Sequence, residues 1–242
     1  MDATSKLADR YRNKALPDPE IRAKATPDYE MGCKRILFSN DWYPTLMRDD
    51  VDLHDGGVER ITAGGVVDSE GVEHEADVII WGTGFQSHDF VAPMEIHGRD
   101  GLELNDVWGE RPEAYMGTSV TGFPNMFVIY GPNTNHGSGS VLFTLECQYD
   151  YVIDATRRLR DGARYIDVTP EAQQRWRSEI EERSAETRWM QGGCTSWYLT
   201  ADGVNTNNWV GSWREFKRRS EQIDPADFSL PPVESAAPAA AA

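Results

Sequence analysis

The sequence predicts an α/β chain with a small antiparallel β-meander, two buried strands, and helices that dominate its C-terminal half. Three observations carry that expectation. Between Val51 and Ile80 the chain breaks into short β-prone runs separated by glycine pairs, the pattern of a meander. A later apolar run, Met126, Phe127, Val128, Ile129 and Tyr130, leads into a glycine-rich loop and then into apolar residues at helical spacing, the local order strand, loop, helix. The triplet Thr169-Pro170-Glu171 joins an N-cap, a first-turn proline and a dipole-compatible acid, and so starts another helix.

Taken in order, residues 1–30 are polar and contain Pro17, Pro19 and Pro27, which predicts a helix remnant and a linker. The meander comprises the runs 51–53, 58–61 and 66–67, with turns at Gly56-Gly57, Gly64-Gly65 and residues 69–71. It leads into residues 77–81, where Val78, Ile79, Ile80 and Trp81 are apolar on consecutive positions. Such a run predicts a strand covered on both faces, and the expected neighbour in the same sheet is the strand at 125–130. After the loop at 131–140, Leu142, Leu145, Tyr149, Val152, Thr156 and Leu159 form one apolar helical stripe. Ser138 or Ser140 can cap that helix, which stops near Gly162. The helix begun at Thr169 reaches about Trp189. Residues 31–230 are read as one body, and the Pro/Ala-rich segment 231–242 as a disordered tail.

With 39% hydrophobic residues in 242, the chain can bury a real core. Forty acidic against 24 basic residues give a formal charge of -16, which repels phosphate backbones and anionic lipid and excludes nucleic acid and membrane surfaces as partners. Every apolar run is far shorter than the roughly 20 residues that span a bilayer, and residues 1–12 lack a signal-peptide core. Cys33, Cys147 and Cys194 are odd in number and widely spaced, so they imply neither a disulfide framework nor a zinc site. A reducing cytoplasm is the expected compartment.

Two segments can carry chemistry. The loop Gly131-Pro132-Asn133-Thr134-Asn135-His136-Gly137-Ser138-Gly139-Ser140 lies before a helix start, where backbone N–H groups attract an anion or an electron-rich ring edge. It is not a Walker loop and it fails the dinucleotide fingerprint, so by itself it reads equally as a structural loop. The run Asp77-Val78-Ile79-Ile80-Trp81-Gly82-Thr83-Gly84-Phe85 ends a predicted strand in two glycines, which lets backbone approach a ligand or simply turns the chain.

Four segments together are more specific. Gly32-Cys33-Lys34-Arg35, residues 77–85, Gly122-Phe123-Pro124-Asn125-Met126-Phe127 with Gly131-Pro132-Asn133, and Thr195-Ser196-Trp197-Tyr198 occur in the order and spacing of Baeyer–Villiger monooxygenases. From about Pro27 to Trp213 the chain resembles the C-terminal half of that family, closest to its aryl-ketone (4-hydroxyacetophenone monooxygenase-like) branch. Gly82-Thr83-Gly84 departs from the family's usual Ala-Thr-Gly.

The resemblance implies an incomplete FAD/NAD(P)-binding domain of Rossmann-like, glutathione-reductase type, with FAD and NADPH as cofactors and a ketone and O2 as substrates. It implies that a peroxyflavin anion inserts oxygen into the ketone, and that Arg35, a guanidinium charged at any working pH, is the catalytic residue. Lys34 matches the position that holds the NADPH 2′-phosphate. Thr83, Gly84 and Phe85 match a cofactor-facing strand end. Gly131, Pro132, Asn133 and Val141 match the loop and helix start against the flavin's pyrimidine edge. Trp197 matches the tryptophan beside the nicotinamide, while Tyr198 reads as a packing anchor and His136 as a polar loop residue. The family's two Gly-x-Gly-x-x-Gly loops and its Phe-x-Gly-x-x-x-His-x-x-x-Trp-Pro fingerprint do not occur in the chain. It is therefore expected to work with a separate N-terminal half chain or as a homo-oligomer. The competing class is a non-catalytic remnant or protein-interaction module, and oxidation of nitrogen or sulfur is the alternative chemistry.

Overall fold

The computed structural model describes residues 3–137 and 139–233, and the chain divides into two compact units, Met1–Met31 with Ile36–Phe85, and Gly32–Arg35 with Gln86–Ala242. In the first unit, α1 (Ala3–Ala15) is followed by α2 (Pro19–Lys24), which the Asp18 carboxylate caps by accepting from the Glu20 and Ile21 amides at 2.8 and 3.1 Å. A short α3 (Trp42–Leu46) places the Tyr43 ring 5.8 Å from that of Tyr11. Leu16 and Leu46 are buried.

The meander is present as β1 (Val58–Ile61), β2 (Gly65–Asp68) and β3 (Glu73–Glu75), antiparallel in sequence order. Val66 pairs with both Ile61 and His74, and β1 is bulged between Val58 and Arg60. The central strand is the buried one, centred on Val67. A Cβ on Gly65 would come within 2.0 Å of the His74 carbonyl, so the close approach of β3 requires a glycine there.

Two strand expectations fail in this unit. Residues 51–53 form no ladder; the Leu53 carbonyl instead accepts from Lys24 Nζ at 3.5 Å. Residues 77–81 also lie outside any ladder, with Ile80 90% and Phe85 98% exposed. The expected sheet joining 77–81 to 125–130 is absent among the described residues. Residues 125–130 likewise join no sheet: the Asn125 amide donates to the Ile166 carbonyl and the Val128 amide to the Thr118 carbonyl, at 2.9 and 2.8 Å. Apolar character selects a strand's surroundings, but the ladder needs a second backbone in register, and no other described segment offers one.

In the second unit, α4 (Leu104–Trp108) packs with Val91, Ala114, Val120 and Phe123 in a small core. The larger core lies among α5 (Val141–Arg160), α6 (Pro170–Ser184) and α8 (Trp213–Ser220). A two-stranded pair, β4 (Asp167–Val168) and β5 (Phe228–Ser229), closes one side, and α7 (Arg188–Gln191) is a single turn between α6 and α8. Thr169 caps α6 as expected, its hydroxyl accepting from the Ala172 amide at 3.3 Å. The helix ends at Ser184, short of the predicted Trp189, which lies in α7. Arg183 and Arg219 bind Glu179 and Glu215, joining α6 to α8, and the stacked Trp176 and Trp209 rings lie 5.4 Å apart beneath Arg219. The paired guanidinium of Arg219 holds Glu179 below the usual carboxylate range, and Arg183 does the same for Glu215.

Helix α5 covers its predicted extent, but its buried face is rotated by about 110° from the predicted stripe, at 100° per residue. Thr144, Cys147, Gln148, Tyr151 and Ala155 are buried, while Leu142 and Tyr149 are exposed and Leu145, Val152 and Leu159 half-buried. The predicted stripe lies at the edge of the contact, not its centre, because the core presents Gln148 with backbone groups that need its amide. Gln148 accepts from the Tyr130 amide at 2.8 Å and donates to the Gly117 carbonyl at 3.3 Å. At the C-terminus, residues 231–233 are held by bonds from the Arg164 amide to Pro231 and from the Val233 amide to Gly162; the rest of the expected tail, 234–242, lies outside the described residues, as does Ser138.

The rotated facing is testable by a matched pair. Tyr151→Ala is expected to lower the urea unfolding free energy by ~3–5 kcal/mol, as large core truncations do, and Tyr149→Ala to change it by less than about 0.5 kcal/mol. Equal losses would restore the originally expected stripe.

Candidate functional site

The second unit brings together chain segments more than 150 residues apart. Gly32 takes φ +93° and delivers Cys33 into the interior, where it is fully buried and bonded to Cys194, with S–S 1.99 Å and Cα–Cα 6.0 Å. The cysteine expectation is thereby corrected. Pairing depends on Cα separation and side-chain direction in the fold, neither of which a sequence separation of 161 residues can reveal. Gly192 is required beside the bridge, since a Cβ there would lie 2.7 Å from that of Cys33.

The bridge places Lys34 and Arg35 next to the segment that carries Trp197. Both basic residues are exposed, Trp197 is 47% exposed, and its ring packs on buried Tyr198 with centroids 4.5 Å apart. Burial raises the pKa of the Tyr130 and Tyr198 hydroxyls, and in both cases the Arg35 charge opposes that rise. The Tyr198 hydroxyl lies near enough to feel Arg35 yet lacks hydrogen-bond geometry to any partner. No carboxylate pairs with Arg35 among the described residues. A fixed cation thus sits beside two neutral phenols, with no acid compensating it.

Two residues just before this region secure the Trp197 segment. Ser87 donates to the Trp197 carbonyl at 2.7 Å, and His88 Nε2 lies 3.0 Å from the Leu199 carbonyl. A carbonyl can only accept, so Nε2 carries the proton and Nδ1 is the acceptor. Thr206 Oγ1 at 2.7 Å and Asn207 Nδ2 at 3.3 Å both point donors at that Nδ1.

The predicted loop is buried from Gly131 through His136. Asn133 adopts φ +59°, its amide donates to the Thr206 carbonyl at 2.9 Å, and its Nδ2 donates to the Asn205 carbonyl at 2.8 Å. The Asn135 amide donates to the Asn207 carbonyl at 3.0 Å, and the Trp209 amide returns a bond to the Asn135 carbonyl at 2.8 Å. Tyr130 donates its hydroxyl to Asn135 Oδ1 at 2.7 Å. Gly131 passes so close to Gly117 that a Cβ would lie 2.5 Å from its carbonyl oxygen. Helix α5 then starts at Val141 with Ser140 in the N-cap position, but the Ser140 side chain makes no cap bond and the first turn holds no acid. His136 Nε2 is buried without a partner, and desolvation lowers its pKa.

Of the residues singled out in the sequence, Lys34, Arg35, Gly131, Pro132, Asn133, Val141 and Trp197 belong to this one unit. Thr83, Gly84 and Phe85 belong to the other, where Gly84 has φ +85° and all three are exposed. Sequence reasoning missed the Ser87-His88 clasp, the 205–208 asparagine segment, Tyr130 and the disulfide. The run Asn205-Thr206-Asn207-Asn208 was a visible signal, since side chains of this type partner irregular backbone.

No family model matches the chain. It is 39% identical over 226 residues to a Baeyer–Villiger monooxygenase of Streptomyces coelicolor, covering 93% of this chain and 44% of the relative. It is 40% identical over 233 residues to a Baeyer–Villiger monooxygenase of Pseudomonas aeruginosa, covering 95% and 44%. Among solved structures it resembles a closed form of cyclohexanone monooxygenase, with TM-score 0.79 and 28% identity over 96% of this chain and 46% of that one. It also resembles the OTEMO complex with FAD and NADP, with TM-score 0.79 and 25% identity over 91% and 43%. The chain thus spans less than half the length of these relatives. These relatives are monooxygenases by name, and one of the similar structures holds FAD and NADP.

Two measurements check the site. Chain unfolded without reductant should show one reactive thiol, Cys147, and three after reduction; three from the start would refute the Cys33–Cys194 bridge. The loop-entropy account gives such a long loop about 5 kcal/mol, so reduction should lower the melting temperature. His136, with its folded pKa depressed, makes the unfolded chain bind more protons below about pH 6.5. Its stabilising effect is complete above that pH and is lost as pH falls through the lower folded value. The urea midpoint should therefore drop from pH 7 to pH 5, and less steeply in His136→Leu.

Proposed function

We propose that this chain is the C-terminal part of an FAD- and NADPH-dependent monooxygenase of the Baeyer–Villiger type, inserting one oxygen atom of O2 into a ketone. The observation that carries the proposal is Arg35, held by the Cys33–Cys194 bridge beside Tyr130, Tyr198 and the Trp197 segment without a compensating acid. The relatives supply the reaction class, and aryl ketones are the substrate class of the proposal.

The residues present fit one end of a flavin. The α5 start lacks a Ser140 side-chain cap and follows a loop with an unpartnered His136 nitrogen, a setting suited to an electron-rich ring edge. They do not provide for the ADP end, which the absent glycine fingerprints would hold. Bound FAD, reduced by NADPH, supplies the oxygen-activating chemistry. The chain's own part is to place a permanent positive charge where negative charge gathers, at Arg35. Tyr198, kept protonated by burial, offers a hydroxyl proton, and Tyr130, whose proton goes to Asn135, adds no competing charge. Lys34 would hold the 2′-phosphate, and the half-exposed Trp197 would pack against the nicotinamide.

A specific observation also favours association. Leu37, Phe38, Val78, Ile80 and Phe85 in the first unit are each more than two-thirds exposed, as is Leu142 on α5 in the second, and large apolar side chains left in water suit a partner that covers them. A companion N-terminal half, as a separate chain or in the same polypeptide, is the proposed cover. A homo-oligomer or a non-catalytic binding module is the competing reading.

Alone, the purified chain should be colourless and without NADPH oxidase activity; stoichiometric flavin would contradict the division of labour. Joined to or mixed with the remaining part of such an enzyme, Arg35→Ala should cut ester formation by about 10²–10³-fold, the scale of one lost oxyanion donor, while NADPH still reduces the flavin. Lys34→Ala should mainly raise the KM for NADPH. Normal ester yield from Arg35→Ala would end the catalytic assignment.

A further inference from the structure

The first unit carries a cluster that the proposed oxidation does not use. Asp68 ends β2, and its Oδ1 accepts from the Glu70 and Val72 amides at 2.9 and 3.0 Å, which closes the turn into β3 and fixes the carboxylate plane. Its other oxygen, Oδ2, lies 2.8 Å from His74 Nε2. The register explains the meeting. His74 pairs with Val66, and Asp68, two residues along β2, shares the face of Val66, so the two side chains are diagonal neighbours. His54 arrives from the irregular segment before β1, and its ring lies 4.1 Å from that of His74. One ligand atom from each of the three lies within 4.8 Å of the others.

We propose that His54, Asp68 and His74 bind a zinc-class divalent cation. Two imidazole nitrogens and one carboxylate oxygen suit a borderline cation such as Zn²⁺, and exclude Mg²⁺, which wants an octahedron of oxygens. The carboxylate is already oriented by two backbone amides, the supporting contacts that metal ligands generally have. The cation takes the place of the proton between Asp68 Oδ2 and His74 Nε2. Asp68 is buried, His74 half-buried and His54 exposed, so the two fixed ligands lie inward and the adaptable one closes from solvent. Three protein ligands leave a fourth position for water. The chain's formal charge of -16 favours cation entry.

The test uses the full 242-residue chain, untagged, stripped with a chelator and titrated with Zn²⁺ alone by calorimetry, with imidazole signals followed by NMR. One equivalent should bind and perturb the rings of His54 and His74 but not those of His88, His97 and His136. His54→Ala, which touches no backbone bond of the meander, should keep the apo melting temperature and weaken Zn²⁺ binding by more than about tenfold; His74→Ala and Asp68→Asn should weaken it at least as much. Mg²⁺ should neither bind nor compete. The proposal is overturned if no Zn²⁺ binds at 1:1 up to about 100 μM, if binding is unchanged in His54→Ala, or if the shifted rings are those of the other three histidines.

Discussion

The backbone from Gly131 to His136 is buried yet neither helical nor part of a sheet, and irregular backbone is tolerated inside a protein only where its amides and carbonyls find partners. Here the partners come from a second irregular segment, 205–209. Asn133 and Asn135 donate their amides to Thr206 and Asn207, Trp209 donates back to Asn135, and Asn135 Nδ2 meets Asn208 Oδ1 at 2.5 Å. Each loop completes the other's hydrogen bonding. The start of α5 on one side and the Trp209 stack of the main core on the other depend on this mutual arrangement.

That dependence extends outward. Thr206 and Asn207 also turn side-chain donors toward His88 Nδ1, whose ring then holds the Leu199 carbonyl, while Ser87 holds Trp197. Trp197 lies three residues beyond Cys194, and the bridge leads from there to Cys33 and Arg35. A run of short contacts therefore connects the loop before α5 to the exposed guanidinium. None of the connecting groups is charged except at its outer end, so Arg35 meets a polar but neutral wall. A neutral wall leaves the cation's field available to a ligand.

The parts of this arrangement that were legible in the sequence are those governed by local rules. Thr169-Pro170 starts a helix because the cap and the fixed proline φ act within one turn, and the meander follows from glycines that break β-prone runs. The site's two halves, Gly32 to Arg35 and Thr195 to Tyr198, were visible only as a family pattern; nothing local predicts that they meet. The bridge, the His88 clasp and the asparagine segment are long-range polar pairings, and hydrophobic periodicity carries no information about those. The same limit explains α5. Its apolar stripe is real, but Gln148 satisfies the Tyr130 amide and the Gly117 carbonyl, and that requirement outweighs the burial of Leu142 at roughly 2 kcal/mol per large apolar side chain.

The segment 77–85 presents the reverse case, in which composition describes surroundings that the chain does not itself contain. Val78, Ile80 and Trp81 have the consecutive apolarity of a strand covered on both faces, yet they join no ladder and their side chains are in water. Burying three such side chains is worth roughly 5–9 kcal/mol, and a ladder would satisfy backbone groups that now depend on water. Folding the visible residues more tightly does not recover this, because the described segments offer no free strand to pair with 77–81. Leu142 and Tyr149 on α5 have the same character in the second unit, where they remain exposed. On the proposed reading these surfaces are interior in the assembled enzyme. Their apolarity is then selected by a cover supplied from outside this chain, which is why the consecutive apolar run at 77–81 is exposed here.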